Sequence, residues 1–189
     1  TSIYLREGEQ LTMEEMLLGL MLRSGNDAAV AIAEYISGDV DSFAALMNQE
    51  AAAMGATRSH FVNPNGLPDE NHYTCVYDMY LIFSNAIKND TFVSIIGTTS
   101  YDVTYTDASG EAVTHTWENT NQYLTGNATT PDGFQIVGGK TGTTGEAGYC
   151  LVLYSYNPSG QPIISIVFKA DGKSNLYLLM NEMLQGFAI

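Results

Sequence analysis

The sequence predicts an α+β fold, with a helical subdomain packed on an antiparallel sheet that carries a C-terminal helix. Three observations predict it. Through most of residues 1–100, apolar side chains recur at three and four positions between clear helix caps. From Tyr101 the period changes to alternation, with turn formers between the runs. A final helical period closes the chain. Residues 1–100 therefore read as mostly helical, and 101–189 as mostly antiparallel sheet plus that last helix.

Taken in order, Thr1 to Gln10 reads as extended, with a polar turn at Glu7-Gly8-Glu9. Thr12-Met13-Glu14-Glu15 is a capping box, in which Thr12 caps the helix and Glu15 reaches back. Leu11, Met16, Leu17, Leu20 and Met21 then repeat at helical spacing. This helix stops at Arg23-Ser24-Gly25-Asn26-Asp27, and an Ala-rich one runs to Tyr35 or Ile36, with Gly38 at its C-terminal cap. Asp39 or Asp41 opens a third, Phe43 to Met54, closed by Gly55. His60 to Asp69 is dense in turn formers. Thr74 is expected to cap a helix through Lys88, and Thr91 to Ile96 forms a short one. Tyr101, Val103 and Tyr105, the turn Asp107-Ala108-Ser109-Gly110 and the return Val113 to Trp117 make a hairpin. Asn119 to Gly133 reads as polar loop. The strand holding Lys140, then Gly148 to Tyr156, then Ile163 to Ala170 form an antiparallel meander. Ser174 is expected to cap the last helix, Leu176 to Phe187.

Composition narrows the function. With 189 residues and 45% hydrophobic content, the chain suits one globular domain or two intimately packed subdomains. Seven basic residues against twenty-one acidic ones give a net charge of −14. No basic stripe exists to neutralise phosphates, which argues against nucleic-acid binding. No apolar run approaches the roughly 18–20 residues of a membrane span, and Thr1 to Arg6 lacks the pattern of a signal peptide. His60, His72 and His115 show no metal-ligand spacing, so no metal and no cofactor is expected. Cys75 and Cys150 form no C-x-x-C; a disulfide between them stays open on sequence alone.

Chemistry concentrates around Lys140. Val137-Gly138-Gly139-Lys140-Thr141-Gly142-Thr143-Thr144-Gly145 reads as a strand edge, where glycines let a ligand approach the backbone. A lysine fixed there suits a carboxylate or a nearby proton transfer. Alone, Lys-Thr-Gly is a common tripeptide, and Ser24-Gly25-Asn26 alone is an ordinary turn between helices. In this order, one between helices and the other on a later strand, the two together mean more.

The combination resembles the serine-type D-alanyl-D-alanine carboxypeptidases, low-molecular-mass penicillin-binding proteins of the peptidase S11 type related to class A β-lactamases. That family carries S-x-x-K, then S-D-N or a variant, then K-T-G. Ser24-Gly25-Asn26 is the Ser-Gly-Asn variant. Leu22 to Gly38, Met54 to Met79 with Phe61-Val62-Asn63-Pro64-Asn65-Gly66-Leu67, and Gly138 to Cys150 share the likeness, which runs from Tyr4 onward. The resemblance implies a β-lactamase/transpeptidase-like fold whose N-terminal part is missing here. None of the four lysines, Lys88, Lys140, Lys169 and Lys173, has Ser or Thr three positions before it, so S-x-x-K is absent from these residues. In the family that motif lies upstream, on a buried helix, and the expectation is that this chain starts after it and is inactive as it stands.

For the intact protein the resemblance implies hydrolysis at D-Ala-D-Ala of peptidoglycan stem peptides through an acyl-enzyme, and reaction with β-lactams. Ser24, Asn26 and Lys140 are the implied catalytic residues. Lys140, Thr141, Gly142 and Thr143 are the implied substrate-binding residues. The family works in bacteria outside the cytoplasmic membrane, commonly tethered by a C-terminal amphipathic helix. The alternatives are a class A-like β-lactamase and a module that binds stem peptides without cutting them. A chain lacking the central helix is further expected to expose an apolar groove beside Ser24 and Lys140 and to self-associate. Asp27 reads as a helix-dipole residue, Glu146 as a solvated loop acid, Asn63 and Gly66 as loop-shaping, and Tyr149 and Trp117 as core aromatics.

Overall fold

Thr12 opens the first helix with reciprocal bonds. The Glu15 N–H donates to Thr12 Oγ1 at 3.2 Å, and the Thr12 N–H donates to Glu15 Oε2 at 2.7 Å. This helix, α1 (Met13–Arg23), begins the fold seen in a computed structural model describing residues 1–188. It ends at Ser24, which lies in the left-handed region at φ 55°, ψ 45°. The chain turns at once into α2 (Asn26–Ser37), stopped by Gly38 at φ 86°. Asp39, not Asp41, caps α3 (Val40–Ala53), accepting from the Ser42 N–H at 2.6 Å.

Two expected caps differ. Helix α4 (Val76–Ala86) has Cys75 at its N-cap and no side-chain cap. The Thr74 hydroxyl is engaged instead with Ser59 at 2.7 Å, and Ser59 donates to Asp78 at 2.8 Å. Asp78 is fully buried and also accepts from the Arg58 N–H, so Thr74 belongs to a polar cluster that ties the loop down to α4. Likewise α6 (Lys173–Gln185) starts after Gly172, with Ser174 already inside the helix. Between them, Asn89 caps α5 (Asp90–Gly97) through the Phe92 N–H.

The strands form two sheets. β1 (Ser100–Thr106) and β2 (Ala112–Glu118) make a separate hairpin, with Tyr101 opposite Trp117. It packs on α1: Val103, Tyr105 and Trp117 are buried with Leu18, Leu22 and Ile3. The meander β3 (Gln135–Thr144), β4 (Gly148–Tyr156) and β5 (Pro162–Ala170) is antiparallel, with β3 at one edge. Leu151, Leu153 and Val167 pack on Leu176, Met180 and Leu184 of α6. Val152 and Ile166 pack on Phe83 of α4 and Ile96 of α5. Helices cover both faces, which explains why Leu151-Val152-Leu153 is apolar without alternation. The 119–133 segment lacks regular structure, but Asn119, Asn121 and Tyr123 in it are buried.

Asp27 does more than face a helix dipole. Its carboxylate accepts from Ser2 Oγ at 2.5 Å and from the N–H groups of Ile3, Leu5 and Ala28 at 2.9 to 3.1 Å, holding the N-terminal segment against α2. Burial pushes the carboxyl up, but the four hydrogen bonds outweigh it and hold it below the usual aspartate range. The contribution to stability is full above the ordinary aspartate pKa of about 3.9 and is lost as pH falls through the lowered folded value. Asp27→Asn leaves partly buried N–H groups without a charged acceptor and should cost about 1–3 kcal/mol. Amide exchange at Ile3 and Leu5 should rise selectively; unchanged protection there would show that the segment is held by Ile3 packing alone.

Candidate active site

The glycines before Lys140 serve the fold rather than a ligand. A Cβ on Gly138 would sit 2.5 Å from the Ile96 carbonyl oxygen, and one on Gly97 would sit 2.6 Å from that of Val137. The end of α5 thus lies backbone-to-backbone on β3. Gly142 differs, with nothing nearer its missing Cβ than Cys150 Cβ at 4.0 Å, and it is exposed. The close approach of a ligand read from the sequence applies to Gly142 and not to Gly138 or Gly139.

Register decides where Lys140 points. It is paired with Val152, which packs against Phe83 and Ile96, and directly opposed residues share a face of the sheet. Lys140 therefore faces the helices. Its ammonium donates to Ser24 Oγ and, at 2.7 Å, to the Thr141 carbonyl. Two residues 116 positions apart in the chain meet here. Among the described residues Lys140 forms no ion pair; the one salt bridge joins Arg58 and Asp78. Burial pulls the ammonium down to about 8. At neutral pH it remains mostly charged, an unneutralised cation in a partly dry site.

A cavity of about 860 Å³ holds this contact. Ser24, Asn26, Lys140, Thr141, Gly142 and Thr143 all line it, so the six residues singled out from sequence are brought together. The Asn26 carboxamide makes no hydrogen bond to the described residues and is available to a ligand. Apolar walls come from Leu20, Met21, Met47, Phe61 and Met79, and the Asn63–Leu67 turn forms the rim. Asn63 shapes that turn as expected, accepting from the Gly66 N–H and donating to the Leu67 carbonyl. Trp117 is buried in the core, whereas Tyr149 packs on the core and also lines the cavity. Glu146 is exposed in the β3–β4 turn. Both cysteines are free.

Sequence reasoning missed several lining residues. Thr120 places its hydroxyl 2.6 Å from that of Thr141. His72 accepts from the Val62 N–H through Nδ1 at 3.1 Å, and burial holds it below the usual histidine range. Lys173 and Tyr177 reach the cavity from α6. Nothing in the 119–133 run marked Thr120, because its significance lies in a contact 21 residues away.

A helix-covered antiparallel sheet, with an edge-strand lysine joined to a serine between two helices, defines the β-lactamase/transpeptidase-like class. The crystal structure of the Streptomyces K15 DD-transpeptidase superposes with a TM-score of 0.89 at 31% identity, covering 100% of this chain and 72% of that one. A penicillin-binding protein homologue from Mycobacterium tuberculosis gives 0.84 at 27% identity, covering 100% and 69%. Residues 1–172 match the family model of D-alanyl-D-alanine carboxypeptidases, peptidase S11, and the chain belongs to that family. The D-alanyl-D-alanine carboxypeptidase DacF of Bacillus subtilis is 36% identical over 185 residues, 97% of this chain and 44% of its own length. The D-alanyl-D-alanine carboxypeptidase of Streptomyces strain K15 is 33% identical over 193 residues, 96% of this chain and 63% of its own. The chain thus spans roughly half of these relatives.

Two measurements test the geometry. Ser24→Gly and Ser24→Ala both lose the hydroxyl, but only the glycine relieves a left-handed backbone. Urea unfolding should find Ser24→Gly the more stable by about 1–2 kcal/mol; equal stability would mean that the turn relaxes to another conformation. Acetate binding, followed by NMR shifts at Thr141 and Gly142, should weaken as pH rises through about 8. Affinity flat to pH 10 would assign the cation to a different group.

Proposed function

We propose that residues 1–189 are part of the catalytic domain of a serine-type D-alanyl-D-alanine carboxypeptidase. The residues mostly helical to about 100 would supply Ser-Gly-Asn, and the sheet half would supply Lys-Thr-Gly. The observation that carries the reading is the Lys140–Ser24 hydrogen bond inside a cavity that also holds Asn26, Thr141, Gly142 and Thr143.

In this reading the nucleophilic serine and its lysine come from residues outside this sequence, consistent with relatives about twice as long. That serine attacks the carbonyl between two D-alanines of a peptidoglycan stem peptide and forms an ester. Lys140 donates to Ser24 Oγ, leaving the Ser24 proton free to pass toward the departing D-alanine nitrogen. The Asn26 carboxamide holds the peptide amide. Lys140 and the Thr141 and Thr143 hydroxyls bind the terminal carboxylate. β3 is an edge strand, so alternate N–H groups are unpaired by β4, and that of Thr143 supplies half of an oxyanion hole. Water then releases the shortened peptide. β-Lactams, which mimic D-Ala-D-Ala, acylate the same serine. The site of action is the bacterial cell wall, outside the cytoplasmic membrane. Among the described residues, no helix is long and apolar enough to cross a membrane.

Intact mass after incubation with benzylpenicillin, on this chain and on a form extended upstream through the S-x-x-K segment, tests the reading. The extended form should gain one adduct and this chain none. Labelling of this chain would make one of its own serines, Ser24 first, the nucleophile. An extended form that stays unlabelled would remove the penicillin-binding assignment. Light scattering on the same samples reports whether this chain self-associates through the cavity face, as an uncovered apolar wall would favour.

A further inference from the structure

The hydroxyl of Thr120 meets that of Thr141 at 2.6 Å, and Thr141 is its one hydrogen-bond partner among the described residues. The residues on either side of Thr120 are anchored by hydrogen bonds. The Asn119 side chain before it donates to the Thr98 carbonyl at 2.9 Å and accepts from the Asn121 N–H at 2.8 Å. Asn121 behind it is fully buried and accepts from the Tyr123 N–H. The Gln122 N–H donates to the Tyr177 hydroxyl at 2.8 Å. This polar segment thus fixes one hydroxyl against the Lys-Thr-Gly strand.

The pair has two proton arrangements. If Thr141 donates to Thr120, Thr141 turns lone pairs toward the cavity, and these repel an acceptor-only carboxylate. If Thr120 donates to Thr141, the Thr141 proton is free to point into the cavity. Lys140 already imposes the same direction on Ser24, because an ammonium can only donate. We propose that Thr120 is a positioning residue that donates to Thr141 and so aims the Thr141 hydroxyl proton at a substrate carboxylate. It acts through Thr141, and the inference rests on the carboxylate-binding reading above. With Thr120 in this role, the Ser24 and Thr141 hydroxyls both keep a proton free to donate, and the site selects an acid over the corresponding amide.

The test uses N-acetyl-D-alanine and N-acetyl-D-alaninamide at pH 7, titrated into this chain and into the upstream-extended form, with binding read by NMR. Wild type should prefer the acid. Thr120→Val should weaken acid binding about tenfold, the equivalent of one hydrogen bond, and leave the amide unchanged. Thr120→Ser should restore the preference, and Thr120→Val should add nothing in a Thr141→Val background. Equal weakening of both probes, or an undiminished acid preference in Thr120→Val, overturns the proposal while leaving the family reading intact. A wild type indifferent to acid and amide overturns both. Neutron diffraction of the wild-type complex with N-acetyl-D-alanine decides independently of any variant's folding, since a proton on the Thr141 side of the 2.6 Å bond also overturns it.

Discussion

The contact on which the site depends is the backbone of α5 lying against the backbone of β3. Gly97 and Gly138 leave no room for a Cβ on either side. One residue before this contact Ile96 is buried with Phe83, Val152 and Ile166, and one further back Ile95 is buried with Leu18, Leu22 and Ala28. A single short helix therefore spans both cores. Its two adjacent isoleucines point into different clusters, so it fixes the separation between the α1–α2 turn and the sheet edge. Lys140, two residues beyond Gly138 on the same face, reaches Ser24 because of that separation. A methyl at Gly138 would have to move backbone against backbone, and overpacking of that kind typically costs about 1–3 kcal/mol. Any such shift would be transmitted to the lysine.

Electrostatics then favour an anion locally against the field of the whole molecule. A net charge of −14 repels carboxylates at long range, but physiological salt screens that field beyond about 8 Å. Within the cavity Lys140 supplies an ammonium without an ion pair, whose proton affinity burial has lowered. A bound carboxylate would stabilise the charged form and relieve part of the desolvation cost. A pre-existing carboxylate partner would cancel that advantage. Ser24 and the Thr141 carbonyl instead supply neutral acceptors, which orient the amine without neutralising it.

Much of this was legible in the sequence where the signal is local. The capping box at Thr12, the glycine stop at Gly38, the hairpin and the meander depend on neighbours within a few residues, and each appears as read. The misreadings share one cause. Thr74 carries a good capping side chain, but the Ser59–Asp78 cluster engages it instead, and Ser174 falls one residue inside a helix that starts at Lys173. Gly138 looked like space for a ligand, although the neighbour that needs the space is Ile96, on a helix 42 residues earlier. Asp27 looked like a dipole residue because its true partners, Ser2, Ile3 and Leu5, lie on an irregular segment with no pattern to read. Thr120 carried no signal at all, its partner being on another element.

The same distinction orders assembly. Ser24 and Lys140 are 116 residues apart, so no local element contains the site, and its formation must follow docking of the helices on the sheet. Ser24 sits in a left-handed conformation that most residues with a Cβ disfavour. The helix turn could relax this conformation if nothing opposed it. What opposes it is the burial of Leu22 before the turn and of Ala28 and Ala29 after it, Leu22 and Ala28 in the cluster formed with Ile3, Leu18 and Trp117. Core packing thus holds the serine in a costly geometry, in which its hydroxyl meets the lysine. That is the physical content of preorganisation here: the strain sits in α1–α2, and the benefit appears on β3.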